Sequence, residues 1–279
     1  MSPPDRYAVF GQPVSHSLSP RIHRQFAEQT QQQLTYEAIE VAPEQFASSV
    51  ADFFAGGGRG LNITVPHKLS AYALAGRLSA RAQRAGAINT LLTEPGGRVL
   101  VGDNTDGAGL VRDLLFNIKA KIREQRVLIL GAGGATRGIV GPLLDQGPSE
   151  LCIANRSPER AIVLTELFAD LAPVRAATPA ELKGTQWDLI LNATSASLSG
   201  EVPELSAELL AGGCLCYDLA YGAGPTAFMR WAQLHGAART ASGLGMLIEQ
   251  AAEAFEIWRG VRPDTAPVRA LLMAESAEL

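Results

Sequence analysis

Short apolar runs alternate with apolar residues at helical spacing through the first hundred residues. The runs predict strands and the helical spacing predicts the connections between them. The predicted strands are 7–10, 34–41, 61–65, 87–92 and 99–101. The last two flank Gly96-Gly97 and predict a hairpin. Such alternation is typical of α/β proteins, so we expect a mostly parallel sheet that carries one antiparallel edge.

A second pattern begins at 127–130, where four aliphatic residues predict a buried parallel strand. A turn without bulky side chains follows, and a helical pattern resumes behind it. The turn is Gly131-Ala132-Gly133-Gly134-Ala135. Gly131 permits a tight turn, and Gly133 lets the backbone approach a pyrophosphate at the helix N-terminus. Thr136 stands where the third glycine of the dinucleotide motif belongs, so an ordinary structural turn remains the alternative.

The end of the next predicted strand, 151–154, bears on the choice of cofactor. A NAD site carries an acidic residue there for the ribose 2′-hydroxyl, whereas this chain has Asn155-Arg156-Ser157, with Arg160 one turn further on. A guanidinium pairs with a 2′-phosphate, which an acid would repel. The pattern favours NADP, and the alternative is a surface arginine at a strand end.

Further strands are predicted at 188–192 and 215–219, and Tyr221 follows the second. The last long helix begins near Gly243, and its apolar residues repeat at helical spacing. Gln250 lies at the edge of this apolar face. It either packs against a neighbour or reaches into a site.

Three polar clusters in the N-terminal half lie at predicted strand ends or in loops, where α/β sheets gather ligands. They are Ser15 with Ser17, Thr64 with Lys68, and 104–106. Each has a structural alternative: turn residues for the serines, a solvated surface lysine for Lys68, and a helix cap for 104–106. We expect a structural role for His67.

Composition narrows the class of protein. The 279 residues predict about two domains, and 47% hydrophobic residues give each a core. A net charge of −4 argues against non-specific binding of nucleic acid, and no apolar run reaches the ~18 residues of a membrane span. The N-terminus lacks the apolar core of a signal peptide. Three cysteines without a second ligand cluster predict a reducing, cytoplasmic setting and no metal site.

Taken in order, the motifs resemble shikimate dehydrogenase over nearly the whole chain. They are Ser15-His16-Ser17-Leu18-Ser19-Pro20, Asn62-Ile63-Thr64-Val65-Pro66-His67-Lys68, Gly86-Ala87-Ile88-Asn89-Thr90, Gly102-Asp103-Asn104-Thr105-Asp106-Gly107, the glycine turn, Asn192-Ala193-Thr194-Ser195 and Gly243-Leu244-Gly245-Met246-Leu247. The resemblance implies a substrate domain of residues 1–106 with 243–279. It also implies a Rossmann NADP-binding domain of residues 107–242, with the active site in the cleft between the two. The implied reaction is reversible reduction of 3-dehydroshikimate to shikimate by NADPH, in aromatic amino acid biosynthesis.

The resemblance also implies roles for single residues. Ser15 and Ser17 match serines that bind the substrate carboxylate, and Lys68 and Asp106 match the catalytic pair. Like Lys68 and Asp106, four more residues match positions that contact the substrate in the family: Thr64, Asn89, Tyr221 and Gln250. Further cofactor contacts match Leu219 and Gly243. One departure is Ala80, where some relatives carry an acid near the cofactor.

The chemistry of the pair agrees with this role, because an ammonium stabilises the charge that develops on a ketone oxygen and donates a proton to it. We expect a monomer or homodimer acting on a small molecule. Three alternatives stay open: a quinate/shikimate dehydrogenase of relaxed specificity, a non-catalytic NADP-binding regulatory protein, and an oxidoreductase of another substrate.

Overall fold

The computed structural model describes residues 3–94, 96–97, 99–194, 196, 200–203 and 205–277. Ser195, the last residue of the predicted 192–195 motif, lies outside the described residues. The chain divides into two compact units. Unit 1 comprises Met1–Gly109 with Leu247–Ala270, and unit 2 comprises Leu110–Met246 with Leu271–Leu279. No helix in the described ranges is long and apolar enough to cross a membrane.

Unit 1 is built on a six-stranded sheet. Its strands are β1 (Asp5–Gly11), β2 (Leu34–Glu40), β3 (Gly58–Ile63), β4 (Arg77–Leu78), β5 (Thr90–Thr93) and β6 (Leu100–Asp103). Its helices between strands are α1 (Ser19–Gln29), α2 (Phe46–Ala55), α3 (Lys68–Leu74) and α4 (Ala80–Ala85). The strand predicted at 61–65 ends at Ile63, because a turn with the His67 N–H bonded to the Thr64 carbonyl takes the chain out of the sheet.

The prediction that the antiparallel strand lies at the edge of this sheet is wrong. The strand order is β2-β1-β3-β5-β6-β4, and β5 alone runs antiparallel, between β3 and β6 in the interior. The edge strand β4 has two residues and runs parallel to β6. The hairpin of β5 and β6 was predicted correctly, but strand order depends on long-range packing that a local pattern does not contain. One consequence is that β5 starts where β3 and β6 end.

Helix α1 begins at Ser19, one residue earlier than expected for a serine followed by proline, a pair that is typical of the N-cap and the first helical position. Leu18 is the N-cap residue and makes no side-chain cap bond. The Ser17 hydroxyl instead accepts the Ser19 N–H at 3.2 Å. The Ser17 oxygen thus stabilises the turn before α1, which is the role that the structural alternative gave it.

Three helices cross the boundary between the units: α5 (Asp106–Arg112), α9 (Leu244–Arg259) and α10 (Ala266–Ala277). The part of α9 in unit 1 covers one face of the sheet. The Trp258 ring lies 4.8 Å from that of Tyr7, and its Nε1 donates to the Leu91 carbonyl at 3.2 Å. A Cβ on Gly60 would lie only 2.5 Å from Trp258, so the glycine is needed for this close packing.

Unit 2 contains a six-stranded, fully parallel sheet in the order β12-β11-β10-β7-β8-β9. Its strands are β7 (Arg126–Leu130), β8 (Glu150–Ala154), β9 (Val174–Ala177), β10 (Trp187–Asn192), β11 (Leu210–Asp218) and β12 (Arg239–Ser242). Its helices are α6 (Gly134–Leu144), α7 (Pro158–Leu167) and α8 (Ala227–Leu234). From β7 the strands β8 and β9 are added on one side of the sheet, and β10, β11 and β12 are added on the other. The strand order therefore switches sides at β7, and parallel sheets bind nucleotides at such a switch point.

Candidate active site

Lys68 and Asp106 form an ion pair within unit 1. Lys68 is the first residue of α3 and Asp106 the first of α5, and the Lys68 Nζ donates to the Asp106 Oδ2. Their side chains are 15% and 7% exposed. The structure therefore excludes the alternative of a solvated surface lysine.

Asn89, the residue immediately before β5, contacts this pair. Its Nδ2 donates to the Asp106 Oδ1 at 2.9 Å and to the Thr105 Oγ1 at 2.8 Å. Because β5 is antiparallel to β3 and β6, its first residues lie beside the ends of those strands. Asn89 consequently reaches the loops that carry Lys68 and Asp106.

The helix-cap alternative for 104–106 applies to only one residue of the cluster. The Asn104 Oδ1 accepts the Asp106 N–H at 3.1 Å, and the Asn104 Nδ2 donates to the Ala87 carbonyl at 2.9 Å. Asn104 thus caps the start of α5. Both carboxylate oxygens of Asp106 are left for the side chains of Lys68 and Asn89.

Gln250 reaches the same cluster from α9. Its Oε1 lies 3.2 Å from both the Asn89 Nδ2 and the Thr105 Oγ1, and its Nε2 donates to the Leu247 carbonyl at 2.9 Å. The amide of Gln250 is buried and has partners at both ends. Thr105 is missing from the predicted site residues, although it holds Asn89 and Gln250 together. Its place between Asn104 and Asp106 at a strand end was the available signal.

Thr64 and the two serines lie in loops that leave neighbouring strands. Phe10 of β1 is in register with Ile63 of β3, so both loops begin at the same edge of the sheet. The Gln12 N–H also bonds to the Val65 carbonyl at 2.9 Å, which ties the loops together. Thr64 is partly buried, Ser15 is exposed and Ser17 is half-buried.

His67 is structural, as expected. It is buried, its Nε2 lies 2.7 Å from the Val41 carbonyl, and its ring stacks on Phe46 at 4.5 Å. These contacts tie the start of α3 to Val41 and to the first residue of α2, so they support the position of Lys68 without bringing His67 into the cluster.

The glycine turn follows β7 in unit 2. Gly131 has a φ of +100°, and a Cβ there would lie 3.1 Å from the backbone of Ala193. A glycine is therefore required on both conformational and steric grounds. Gly133 is the N-cap of α6, and a Cβ on it would have no neighbour within 4 Å. The open space at this helix N-terminus fits a pyrophosphate beside Ala132, Gly134 and Ala135.

Thr136 explains the incomplete glycine motif. It is fully buried, and its Oγ1 donates to the Gly131 carbonyl at 2.8 Å. This hydrogen bond joins the first turn of α6 to the first residue of the glycine turn. The hydroxyl thus stabilises the loop at the position where the motif has its third glycine.

The predicted 2′-phosphate residues leave the same edge of the sheet, since Leu130 of β7 is in register with Ala154 of β8. Asn155 donates from Nδ2 to the Ser157 carbonyl at 2.9 Å, which shapes the loop. Arg156, Ser157 and Arg160 are exposed. Within the described ranges neither Arg156 nor Arg160 has an ion-pair partner. Two available cations beside the nucleotide turn fit a phosphorylated ribose.

Leu219 and Gly243 pack against each other in unit 2. A Cβ on Gly243 would lie 2.0 Å from the Leu219 carbonyl oxygen, and the Gly243 N–H bonds to the Ala220 carbonyl at 3.0 Å. The buried Asp218 supports this loop, accepting the Ala220 N–H at 3.1 Å. Tyr221 follows in the same loop and is half-buried. It belongs to unit 2, whereas the other predicted substrate residues belong to unit 1.

Three family descriptions match the chain. They are the shikimate dehydrogenase substrate binding domain over residues 9–91, shikimate / quinate 5-dehydrogenase over 113–200, and the shikimate 5′-dehydrogenase C-terminal domain over 243–273. Together they span both units.

Whole-chain relatives agree with these matches. The chain is 57% identical to the shikimate dehydrogenase (NADP⁺) of Methylococcus capsulatus over 99% of this chain and 98% of the relative. A solved structure of an Ael1 enzyme from Pseudomonas putida is 50% identical, with a TM-score of 0.88 over 95% of this chain and 96% of that one. The shikimate 5-dehydrogenase of Thermus thermophilus, solved with NADP(H) and shikimate, is 35% identical with a TM-score of 0.84 over 98% of both chains. Identity at this level over nearly the full length shows that the chain belongs to the shikimate dehydrogenase family.

Proposed function

We propose that this protein catalyses the NADPH-dependent, reversible reduction of 3-dehydroshikimate to shikimate, in the pathway to aromatic amino acids. The observation that carries the proposal is the cluster of Lys68, Asp106, Asn89 and Gln250 in unit 1, combined with full-length relatives named as NADP⁺-dependent shikimate dehydrogenases. An ammonium beside a carboxylate and two amides suits a ring that carries several hydroxyls and a ketone. The amides and the carboxylate offer both donors and acceptors to hydroxyl groups.

Lys68 is the residue that we assign to the reacting oxygen. Reduction of a ketone builds negative charge on oxygen, and the Lys68 ammonium stabilises this charge and donates the proton that completes the alcohol. In the reverse direction its neutral amine accepts the proton. Asp106 holds Lys68 in place and accepts a hydrogen bond from a ring hydroxyl.

The remaining residues of the cluster orient the ring. Asn89 and Gln250 are held by Thr105, so their amide groups are fixed before a substrate arrives. Thr64 adds a hydroxyl beside Lys68, and Ser15 and Ser17 bind the carboxylate with neutral donors. Tyr221 contributes a further substrate contact from unit 2.

In unit 2 we assign the pyrophosphate to Gly131–Ala135 at the N-terminus of α6, and the 2′-phosphate to Asn155, Arg156, Ser157 and Arg160. Leu219 and Gly243 form the surface against which the rest of the cofactor packs. The nicotinamide supplies the hydride when it is bound. The substrate domain would be residues 1–106 with 243–279, and the cofactor domain 107–242.

We further propose that the protein acts in the cytoplasm, without nucleic acid, as a monomer or homodimer. The buried free thiols of Cys152, Cys214 and Cys216 support a reducing compartment. The net charge of −4 supports the absence of a nucleic-acid partner.

Absorbance of NADPH gives the test. The purified chain is mixed with NADP⁺ and then with shikimate or quinate, and NADPH formation is followed. Rapid turnover with shikimate and at least about tenfold lower kcat/KM with quinate is the expected result. Equal rates would indicate the relaxed enzyme, and cofactor binding without turnover would indicate the regulatory alternative.

A further inference from the structure

Arg81 occupies a central place in unit 1 that the proposed function does not use. Its guanidinium makes a forked contact with Asp103, with Nε 2.6 Å from Oδ1 and Nη2 3.0 Å from Oδ2. The third nitrogen, Nη1, donates to the Glu253 Oε1 at 2.7 Å. The side chains of Arg81, Asp103 and Glu253 are 31%, 12% and 24% exposed. A single cation thus joins two carboxylates from segments far apart in the chain.

The first carboxylate controls the segment that carries Asp106. Asp103 is the last residue of β6, and its Oδ1 also accepts the Asn104 N–H at 2.7 Å and the Ser79 hydroxyl at 2.5 Å. Asn104 in turn caps the start of α5, where Asp106 binds Lys68. The position of Asp103 therefore fixes the direction in which the chain leaves β6.

The second carboxylate lies on the helix that carries Gln250. Glu253 is three residues after Gln250 on α9, so the two side chains leave the same side of that helix. Arg262 donates to the other oxygen of Glu253 at 2.6 Å, which holds the carboxylate from behind. Arg81 is thereby linked to both segments that meet at Asn89.

We propose that Arg81 is a positioning residue for this reaction, which clamps the 103–106 segment to α9 and so sets the distance between Asp106 and Gln250. The inference rests on the proposed function for its kinetic consequence, though the clamp itself is a matter of geometry. Arg81 does not touch the catalytic pair. It acts through Asp103 on one side and Glu253 on the other.

The geometry of the clamp suits a guanidinium better than an ammonium. A planar guanidinium serves one carboxylate with two parallel N–H groups while its remaining nitrogen serves another, whereas an ammonium is a point charge without the fork. Burial lowers the pKa of Arg81, but the hydrogen bonds and charges of Asp103 and Glu253 outweigh burial and raise it, so the cation persists. Burial raises the pKa of Glu253, and the bonds from Arg81 and Arg262 outweigh it, so the net pKa is lowered.

The test compares Arg81→Met, Arg81→Lys and Glu253→Gln with two matched controls. Arg77→Met removes another arginine of unit 1, which pairs with Glu94, and Glu256→Gln removes a carboxylate that binds Arg262 but makes no bond to Arg81. Initial rates with shikimate and NADP⁺ are measured well below the unfolding midpoint and are normalised to folded protein by circular dichroism.

We expect Arg81→Met to lower kcat by about 10- to 100-fold, because a displacement of the order of 1 Å at a catalytic group has this effect. The shikimate KM should rise severalfold while the NADP⁺ KM stays unchanged. Arg81→Lys should recover part of the loss, Glu253→Gln should show a smaller loss of the same kind, and both controls should behave like the parent. A purely structural role would lower only the unfolding midpoint, and Arg81→Met with parental kcat and KM per folded molecule would overturn the proposal.

Two further outcomes keep this test separate from the proposed function. If Arg81→Met fails to fold, Arg81→Lys and Glu253→Gln decide, and parental kinetics in both would overturn the clamp. If the unmodified chain shows no turnover with shikimate, the proposed function fails, and the clamp is decided by crystal structures of Arg81→Lys and Glu253→Gln. Displacement of Asp106 relative to Gln250 would support it, and unchanged positions in both variants would refute it.

Discussion

His23 of α1 gives a prediction whose size follows from its surroundings. Its ring is 1% exposed, stacks on Tyr36 at 4.1 Å and lies against Phe255 and Trp258. Within the described part of the chain neither ring nitrogen forms a hydrogen bond of normal geometry. Burial lowers the pKa of His23 from 6.5 to about 3, and the Asn62 side chain opposes this shift only in part. The folded protein therefore holds this imidazole neutral.

The sign of the effect on stability follows from proton uptake. Between about pH 3 and 6.5 the unfolded chain binds a proton at His23 and the folded chain does not, so the free energy of unfolding falls as the pH falls. The cost to the folded state is absent above pH 6.5, grows as the pH falls and is complete below about pH 3. At pH 5 the unfolded group is about 1.5 pH units below its pKa, which at about 1.4 kcal/mol per unit costs the fold about 2 kcal/mol.

The variant His23→Phe removes the titration and keeps an aromatic ring in the stack. Between pH 7.5 and pH 5 the parent should lose about 2 kcal/mol more than the variant, because carboxylates contribute equally to both and cancel in the difference. Ile22→Val is the matched control. It removes one buried methyl group at the neighbouring position and should cost about 0.5–1.5 kcal/mol at both pH values.

Hydrogen exchange read by mass spectrometry suits the measurement, because peptides of β1, β2 and β3 report the opening of unit 1 separately from unit 2. Exchange is followed in increasing urea at both pH values and corrected for the intrinsic rates. Equal losses in the parent and His23→Phe would refute the reasoning. So would an imidazole resonance, absent from His23→Phe, that titrates near pH 6.5.

Three further predictions concern the site. Lys68→Ala should lower kcat by about 10²–10⁴-fold with a much smaller change in shikimate KM, and Lys68→Arg should not rescue oxidation because a guanidinium does not accept the proton; near-normal kcat in a folded Lys68→Ala protein would contradict the mechanism. Arg156→Ala should raise the NADP⁺ KM by about ten- to a hundredfold with little effect on NAD⁺, and equal losses for both cofactors would show that Arg156 does not bind the phosphate. Replacing Ser15 and Ser17 together by Ala should weaken shikimate binding in calorimetry and leave NADP⁺ binding intact, so unchanged shikimate affinity would remove both from the site.

Local sequence patterns were sufficient to predict the strand, glycine turn and helix at the centre of unit 2. Four aliphatic residues, a turn that only glycine permits at Gly131 and a helix behind it are contiguous, so the sequence contains the whole supersecondary unit. Arg156 follows the next strand for the same reason. The parallel sheet then aligns both loops at one edge, as the register of Leu130 with Ala154 demonstrates.

The site in unit 1 was harder to predict from the sequence, because its contacts join segments that are distant along the chain. Arg81 and Glu253 are 172 positions apart, and neither lies in a recognisable pattern. Asn89 was found only through the family resemblance. Its proximity to Asp106 depends on the single antiparallel strand β5, whose interior position is decided by packing of the complete sheet and not by its own four residues.

The division of unit 1 between both ends of the chain has a consequence during synthesis. Residues 110–246 leave the ribosome before 247–270, so the parallel sheet of unit 2 is complete while unit 1 still lacks most of α9. Until then Tyr7 has no Trp258 to pack against, and Asp5 has no Arg259, whose Nη1 binds it at 2.5 Å in the finished protein. Domains near the N-terminus usually fold first on the ribosome. Here the last part of unit 1 is synthesised after the whole sheet of unit 2, so the apolar face around Tyr7 stays uncovered until most of α9 has been made.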